Sequence, residues 1–167
     1  MIRYLTFLTL PLYLLDQITK ILVLRRFPPP DELGNFEEIE VVPGFFWLHR
    51  LHNTGVAFGR FNEVAYSNLI FGAVSVVALI AIVIMWAKNT FPTRLGQISA
   101  ALLMAGILGN LTDRVWHGYV VDFLKFDLKF MVWPSFNVAD SCICVAAVFL
   151  FLSAWQKTEA TTEKVAG

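Results

Sequence analysis

Val64–Ala87 reads VAYSNLIFGAVSVVALIAIVIMWA, with no charged side chain from end to end. About 20 mostly apolar residues cross the roughly 30 Å hydrocarbon layer of a bilayer, so this stretch reads as a membrane span. The fold then depends on how many more the chain holds. Leu95–Thr112 is also uncharged and rich in Ala, Gly and Leu. Its small residues Ala100, Ala101, Ala105, Gly106 and Gly109 suit close helix approach. Ser141–Gln156 is uncharged and extends back through Asp140 to Asn137, and Tyr4–Leu24 is apolar except for Asp16, Gln17, Thr19 and Lys20. Pro11 is tolerable in a span because neighbouring groups take up the freed carbonyl.

The composition points the same way. Hydrophobic residues make up 57% and charged residues 16% of the 167, where soluble domains carry about 25% charged and about 45–50% apolar residues. One soluble core of this size cannot hide such an excess. Thirteen basic residues against thirteen acidic ones, with no basic run, argue against a nucleic-acid partner, because nucleic acid demands a basic face. The apolar content excludes disorder, and two cysteines make no disulfide framework. The expectation is a mainly α integral membrane protein, one membrane domain over 1–167. Its four transmembrane helices fall near 4–24, 64–87, 95–112 and 137–156. Residues 1–24 lack the small-x-small cleavage site of a signal peptide and carry Asp16 and Lys20 in their far half, so they read as a retained span.

Four spans put both termini on one side and the connections 25–63 and 113–136 on the other. Basic residues stand on both sides, and long loops are weakly governed by charge, so orientation stays open. The connections are not limp. Phe27-Pro28-Pro29-Pro30 is a stiff exit, followed by an acidic stretch (Asp31, Glu32, Glu37, Glu38, Glu40). Leu124, Phe126, Leu128 and Phe130 alternate with polar residues as in a strand, and Phe45–Leu51 is the natural partner. A small β-sheet on the membrane surface is therefore expected, with Trp47, Trp116, Tyr119 and Trp133 at the interface.

Ionisable groups in or beside spans are costly and hence functional candidates. Asp16 and Lys20 sit four apart, and read as a self-neutralising pair as readily as a functional one. Asp113 beside Arg114 reads as an interfacial ion pair. Asn137 and Asp140 suit the start of a helix, where a capping side chain and an acidic charge are both favourable. Asp122, between Val120-Val121 and Phe123-Leu124, has no adjacent cation and is harder to dismiss. Other chemistries fall away. His49 and His52 would face opposite sides of a strand, there is no Gly-x-Ser-x-Gly elbow or phosphate loop, and Cys142 and Cys144 read as packing residues. Carboxylates remain. Two sharing a proton suffice for peptide hydrolysis: the ionised one activates water and the protonated one polarises the scissile carbonyl.

Five motifs stand in order: Asp16-Gln17-x-Thr19-Lys20; Asn53-Thr54-Gly55-Val56-Ala57-Phe58-Gly59; Gly109-Asn110-Leu111-Thr112-Asp113-Arg114; Gly118-Tyr119-Val120-Val121-Asp122-Phe123; and Trp133-Pro134-x-Phe136-Asn137-x-Ala139-Asp140-Ser141. Through them, over about residues 12–155, the chain resembles the bacterial lipoprotein signal peptidases (signal peptidase II). It departs at Val56, where the family commonly has Ala, and at Ala105, where a glycine pair is usual. The resemblance implies an aspartyl endopeptidase of the bacterial cytoplasmic (inner) membrane, multi-pass, with both termini cytoplasmic and the sheet extracytoplasmic. It would remove the signal peptide of diacylglyceryl-modified prolipoproteins by cutting before the lipidated cysteine, with membrane lipid around it and no metal or cofactor. By the same resemblance Asp122 and Asp140 match the catalytic pair, with Asp113 the one rival. Asn53, Asn110, Arg114 and Asn137 orient substrate or brace the carboxylates, Asp16 and Lys20 support the first helix, and Gly55 permits close approach of a loop. The aromatic run at Phe45-Phe46-Trp47 is a candidate lid. A proton-coupled transporter or channel subunit is the competing reading from the residues alone, and a passive scaffold explains the spans but not the motifs.

Overall fold

The structure, a computed structural model, describes residues 1–31, 34–55 and 67–166, those after 155 as backbone only. The motif residues Val56–Gly59 and the first three positions of the expected 64–87 span lie outside the described residues. In chain order the elements are α1 (Ile2–Tyr4), a π-helical turn (Leu5–Thr9), α2 (Leu10–Arg26), β1 (Glu38–Val42), β2 (Phe46–Asn53), α3 (Ser67–Ala87), α4 (Arg94–His117), β3 (Val120–Asp127), β4 (Val132–Phe136) and α5 (Val138–Ala166). Among the described residues four helical stretches are long and apolar enough to cross a membrane: Ile2–Arg26, Ser67–Ala87, Arg94–His117 and Val138–Trp155.

α4 is the centre of the bundle, packed on α2, α3 and α5. It is far from the most apolar span. It wins the centre by being thin: Ala100, Ala101 and Ala105 are essentially fully buried, and dispersion packing between close backbones is what holds helices together in lipid. At Gly109 a β-carbon would run into the Asp16 carboxylate and the Ala139 methyl, so the glycine lets α2 and the start of α5 meet against α4.

The sheet has four antiparallel strands in the order β1-β2-β3-β4. The expected pairing of the aromatic run with the alternating run is present as β2 against β3, with Phe46 opposite Phe126 and Leu51 opposite Asp122. Two details differ from expectation. β3 begins at Val120 and ends at Asp127, so Leu128 and Phe130 fall outside it. There the Asp127 side chain accepts the Lys129 amide and Leu128 N–H bonds Met131 O, reversing the chain into β4. Alternation of side chains does not register such a turn. The second detail is β1, which arises within the acidic stretch. As an exposed edge strand it shows little alternation, and Glu38 is held there by Lys125 and His49. Pro134 in β4 costs no ladder bond on the opposite edge. Phe27, extended at the end of α2, is buried with Val121 and Phe123 and seats the sheet on the bundle.

Candidate active site

Asp140 is placed by the first turn of α5. Asn137 is the cap: its Oδ1 accepts the Asp140 backbone N–H at 2.9 Å, and Asp140 Oδ2 accepts the Asn137 N–H at 3.3 Å. This reciprocal capping box leaves the carboxylate at the positive end of the helix dipole, which favours negative charge. The expected helix start at these residues is thus present.

Asp122 comes from the buried half of β3 and is 1% exposed. Asn53 Nδ2 donates to its Oδ2 and Asn137 Nδ2 to its Oδ1, each at 2.8 Å. Burial, followed by the neighbouring charge of Asp140, pushes the Asp122 carboxyl from 3.8 up to about 7 against the pull of those two amides. Asn110 completes the link. Its Nδ2 donates to Asp140 Oδ1 at 2.7 Å, while its Oδ1 accepts Lys20 Nζ at 3.0 Å and Asn137 Nδ2 at 3.2 Å. The two carboxylates thus share Asn137 and sit in one amide network.

Beneath them Lys20 is 1% exposed and lies 2.9 Å from both Asp16 and Asp113. The Asp16–Lys20 pair exists, but it does not simply neutralise itself. Asp16 Oδ1 accepts the Ala139 N–H, one of the free amides of the α5 start, at 2.9 Å. Asp113 Oδ2 accepts the Val121 N–H at 2.9 Å, one residue before Asp122. The expected Asp113–Arg114 ion pair is absent among the described residues. Adjacent positions on a helix point about 100° apart; Asp113 turns inward to Lys20, and Arg114 turns out over the Phe71 ring. Arg114 donates from Nη1 to Asn110 O, while its buried Nε has no partner among the described residues.

A cleft of 620 Å³ opens beside Asp122, with His52, Asn53, Gly55, Phe71 and Arg114 also on its wall. Gly55 has φ +95°, and a β-carbon there would strike the Phe71 ring. The backbone at Gly55 thus passes against α3 where only glycine fits. Of the candidate lid run, Phe45 lies in the turn before β2, while Phe46 and Trp47 are part of the strand. These two stand opposite Phe126 and Lys125, and Phe46 lies five positions, about 17 Å at 3.4 Å per residue, from Leu51 opposite Asp122. Among the described residues no group of three or more His, Cys, Asp or Glu is placed to share a metal ion.

Some members of the site carry no sequence signal of their own. Gln17 donates to Asp16, Gly109 O and Asp113; its place between Asp16 and Lys20 in the first motif was the only clue. Arg50 donates to His52 Nε2, Tyr119 Oη and Phe27 O, bracing the cleft wall. His52, stacked on Tyr119, is held neutral, its value lowered to about 4 by burial and by the Arg50 and His117 charges.

With this geometry in hand, comparison with known proteins is specific. A family model described as signal peptidase (SPase) II matches residues 8–156. The lipoprotein signal peptidase of Geobacter metallireducens is 43% identical over 138 residues, covering 83% of this chain and 82% of that protein. Its counterpart from Symbiobacterium thermophilum is 39% identical over 137 residues, covering 82% and 84%. Two solved bacterial membrane enzyme structures match with TM-score 0.76, at 28% and 27% identity, over 94% and 90% of this chain and 88% and 91% of theirs.

Proposed function

The chain belongs to the signal peptidase II family, aspartic proteases that remove signal peptides from prolipoproteins, and we propose that Asp122 and Asp140 are the two carboxylates with which it does so. The observation that carries this reading is Asn137: one side chain bonds Asp122 and caps the helix turn that holds Asp140. Nothing comparable joins Asp113 to either, since its oxygens are taken by Lys20, Val121 and Gln17.

The chemistry follows from the surroundings. Asp140, at the α5 N-terminus and bonded by two donors, acts as the base and takes a proton from the attacking water. Asp122, buried beside that carboxylate and pushed up to about 7, carries its proton on the acid side of neutral pH and in that form hydrogen-bonds the scissile carbonyl oxygen. The proton taken from water is then available to the leaving nitrogen. Arg114, which lines the cleft and whose buried Nε–H has no partner among the described residues, and Asn53 orient the extended substrate backbone. Asp16, Lys20 and Asp113, at most 2% exposed, are positioning residues out of substrate's reach. The apolar part of the signal peptide enters from the bilayer, and the whole chain acts as one membrane unit in the bacterial inner membrane. Both termini are then cytoplasmic, the sheet lies on the outer surface, and the cut falls before the lipidated cysteine.

The test is cleavage of a diacylglyceryl-modified prolipoprotein reporter by the purified chain in detergent. Asp122→Asn and Asp140→Asn are each expected to lose about 10²–10⁴-fold in kcat with the fold intact. An active Asp122 variant beside a dead, folded Asp113→Asn would move the role to Asp113. No cleavage by folded wild-type protein would overturn the reading.

A further inference from the structure

A second cavity, of 490 Å³, lies at the opposite end of the bundle, between the start of the first helix and the start of α4; Arg3, Tyr4, Phe7, Leu8, Arg94 and Ile98 line it. From Arg94 to Asn110 is about 24 Å along α4 at 1.5 Å per residue, so this cavity is not part of the cleft at Asp122. Its wall is of two kinds. Arg3 and Arg94 bring two guanidinium groups from separate elements, and neither has a carboxylate partner among the described residues. Phe7, Leu8 and Ile98 are apolar, and Phe7 is 77% exposed.

Three further observations narrow the ligand. Apart from the end of α5, where residues after 155 are described as backbone only, the charged side chains at this end are Arg3, Lys88 and Arg94, all cationic, and the described carboxylates stand at the other end. The first helix widens here into its π-helical turn, anchored by Thr9 Oγ1 donating to Ala101 O at 2.9 Å. Such turns are frequent at functional sites. Tyr4, Trp86 and Phe91 form an aromatic chain beside the cavity, with ring centroids 6.0 and 5.9 Å apart, and aromatic side chains mark the level of lipid headgroups.

We propose that this cavity binds the phosphate headgroup of an anionic phospholipid, held between Arg3 and Arg94 with its acyl chains along Phe7 and Leu8. Paired guanidinium groups match phosphate oxygens through charge-assisted hydrogen bonds, and basic pockets between spans suit anionic headgroups. A free phosphate ion would satisfy the arginines but leave the apolar wall unused, which is why the lipid is the assigned source. The bound lipid would clamp the first helix to α4, the two elements that carry Lys20 and Asn110 at their other ends.

The purified full chain in neutral detergent, titrated with dioctanoyl phosphatidylglycerol, dioctanoyl phosphatidylcholine and inorganic phosphate and read by native mass spectrometry, tests this. Phosphatidylglycerol is expected to bind about tenfold tighter than phosphatidylcholine, as one or two charge-assisted bonds would give. The exposed double variant Arg3→Gln/Arg94→Gln is expected to lose that preference while keeping reporter cleavage, and Lys88→Gln, equal to each single change in charge but outside the cavity, to keep it. Three results would overturn the proposal: a double variant that retains the preference, a Lys88→Gln variant that loses it, or phosphate displacing the lipid at equal concentration.

Discussion

At the scale of single residues, the protonation of Asp122 is the feature with the widest consequences. Its folded-state value, about 7 against an ordinary 3.8, lies on the raised side. Asp122 therefore favours the folded protein fully below pH 4, and that contribution disappears as pH climbs through 7. If Asp122 must carry its proton for catalysis, kcat/KM falls along an alkaline limb near pH 7. Asn53 donates to the charged form, so Asn53→Ala should move that limb to higher pH, with some loss of rate. A limb that stays in place in this variant would separate Asp122 from the observed titration. Lys20 is a residue of the other kind. Lys20→Met leaves Asp16 and Asp113 buried without their cation and should cost about 3–5 kcal/mol, as for other broken buried pairs, read as a fall in Tm in detergent.

At the scale of elements, the start of α5 gathers the site. Its first residues are tied in three ways: Asn137 caps the Asp140 amide, Asp16 reaches from α2 to the Ala139 amide, and the Ser141 hydroxyl donates to Asn137 O. The carboxylate of Asp140 is thus positioned by α2 and α4 as much as by its own helix. Gly109→Ala puts a methyl where Asp16 passes. It should cost about 1–3 kcal/mol as an overpacked contact and lower kcat together with Tm, because Asp16 would be forced off the Ala139 amide. A conservative Ala101→Gly change on the same helix, remote from Asp16, should leave kcat alone. In the sheet, Trp47→Ala should leave turnover near wild type, since the side chain lies against Lys125 at the end of β2 away from Asp122.

At the scale of the whole molecule, the polar half and the apolar half are divided by depth. The sheet and the Asp122–Asp140 network stand at one end of the bundle, and the described charges at the other end are basic. Orientation is a property of this scale only. In a chain with Cys142→Ala and Cys144→Ala, Lys129→Cys should react with a membrane-impermeant maleimide from outside intact spheroplasts, while Lys88→Cys should react only after lysis. The reverse pattern would invert the proposed topology. α3 packs chiefly on α4 and leaves Leu69, Val74, Val77 and Ile80 exposed, which fits a helix bathed in lipid on most sides.

Span number, the pairing of β2 with β3 and the short list of ionisable candidates were legible in the sequence, because hydrophobic length, side-chain alternation and the cost of a charge in lipid are local properties. The motif resemblance singled out Asp122 and Asp140 from that list. What the tertiary structure alone decided is who meets whom. Asp113 serves Lys20 rather than Arg114, Asp16 bonds an amide 123 positions away, and the least apolar-looking helix lies at the centre. Those outcomes depend on the rotation and depth of packed helices, which small side chains such as Ala101 and Gly109 set by how closely they let backbones approach.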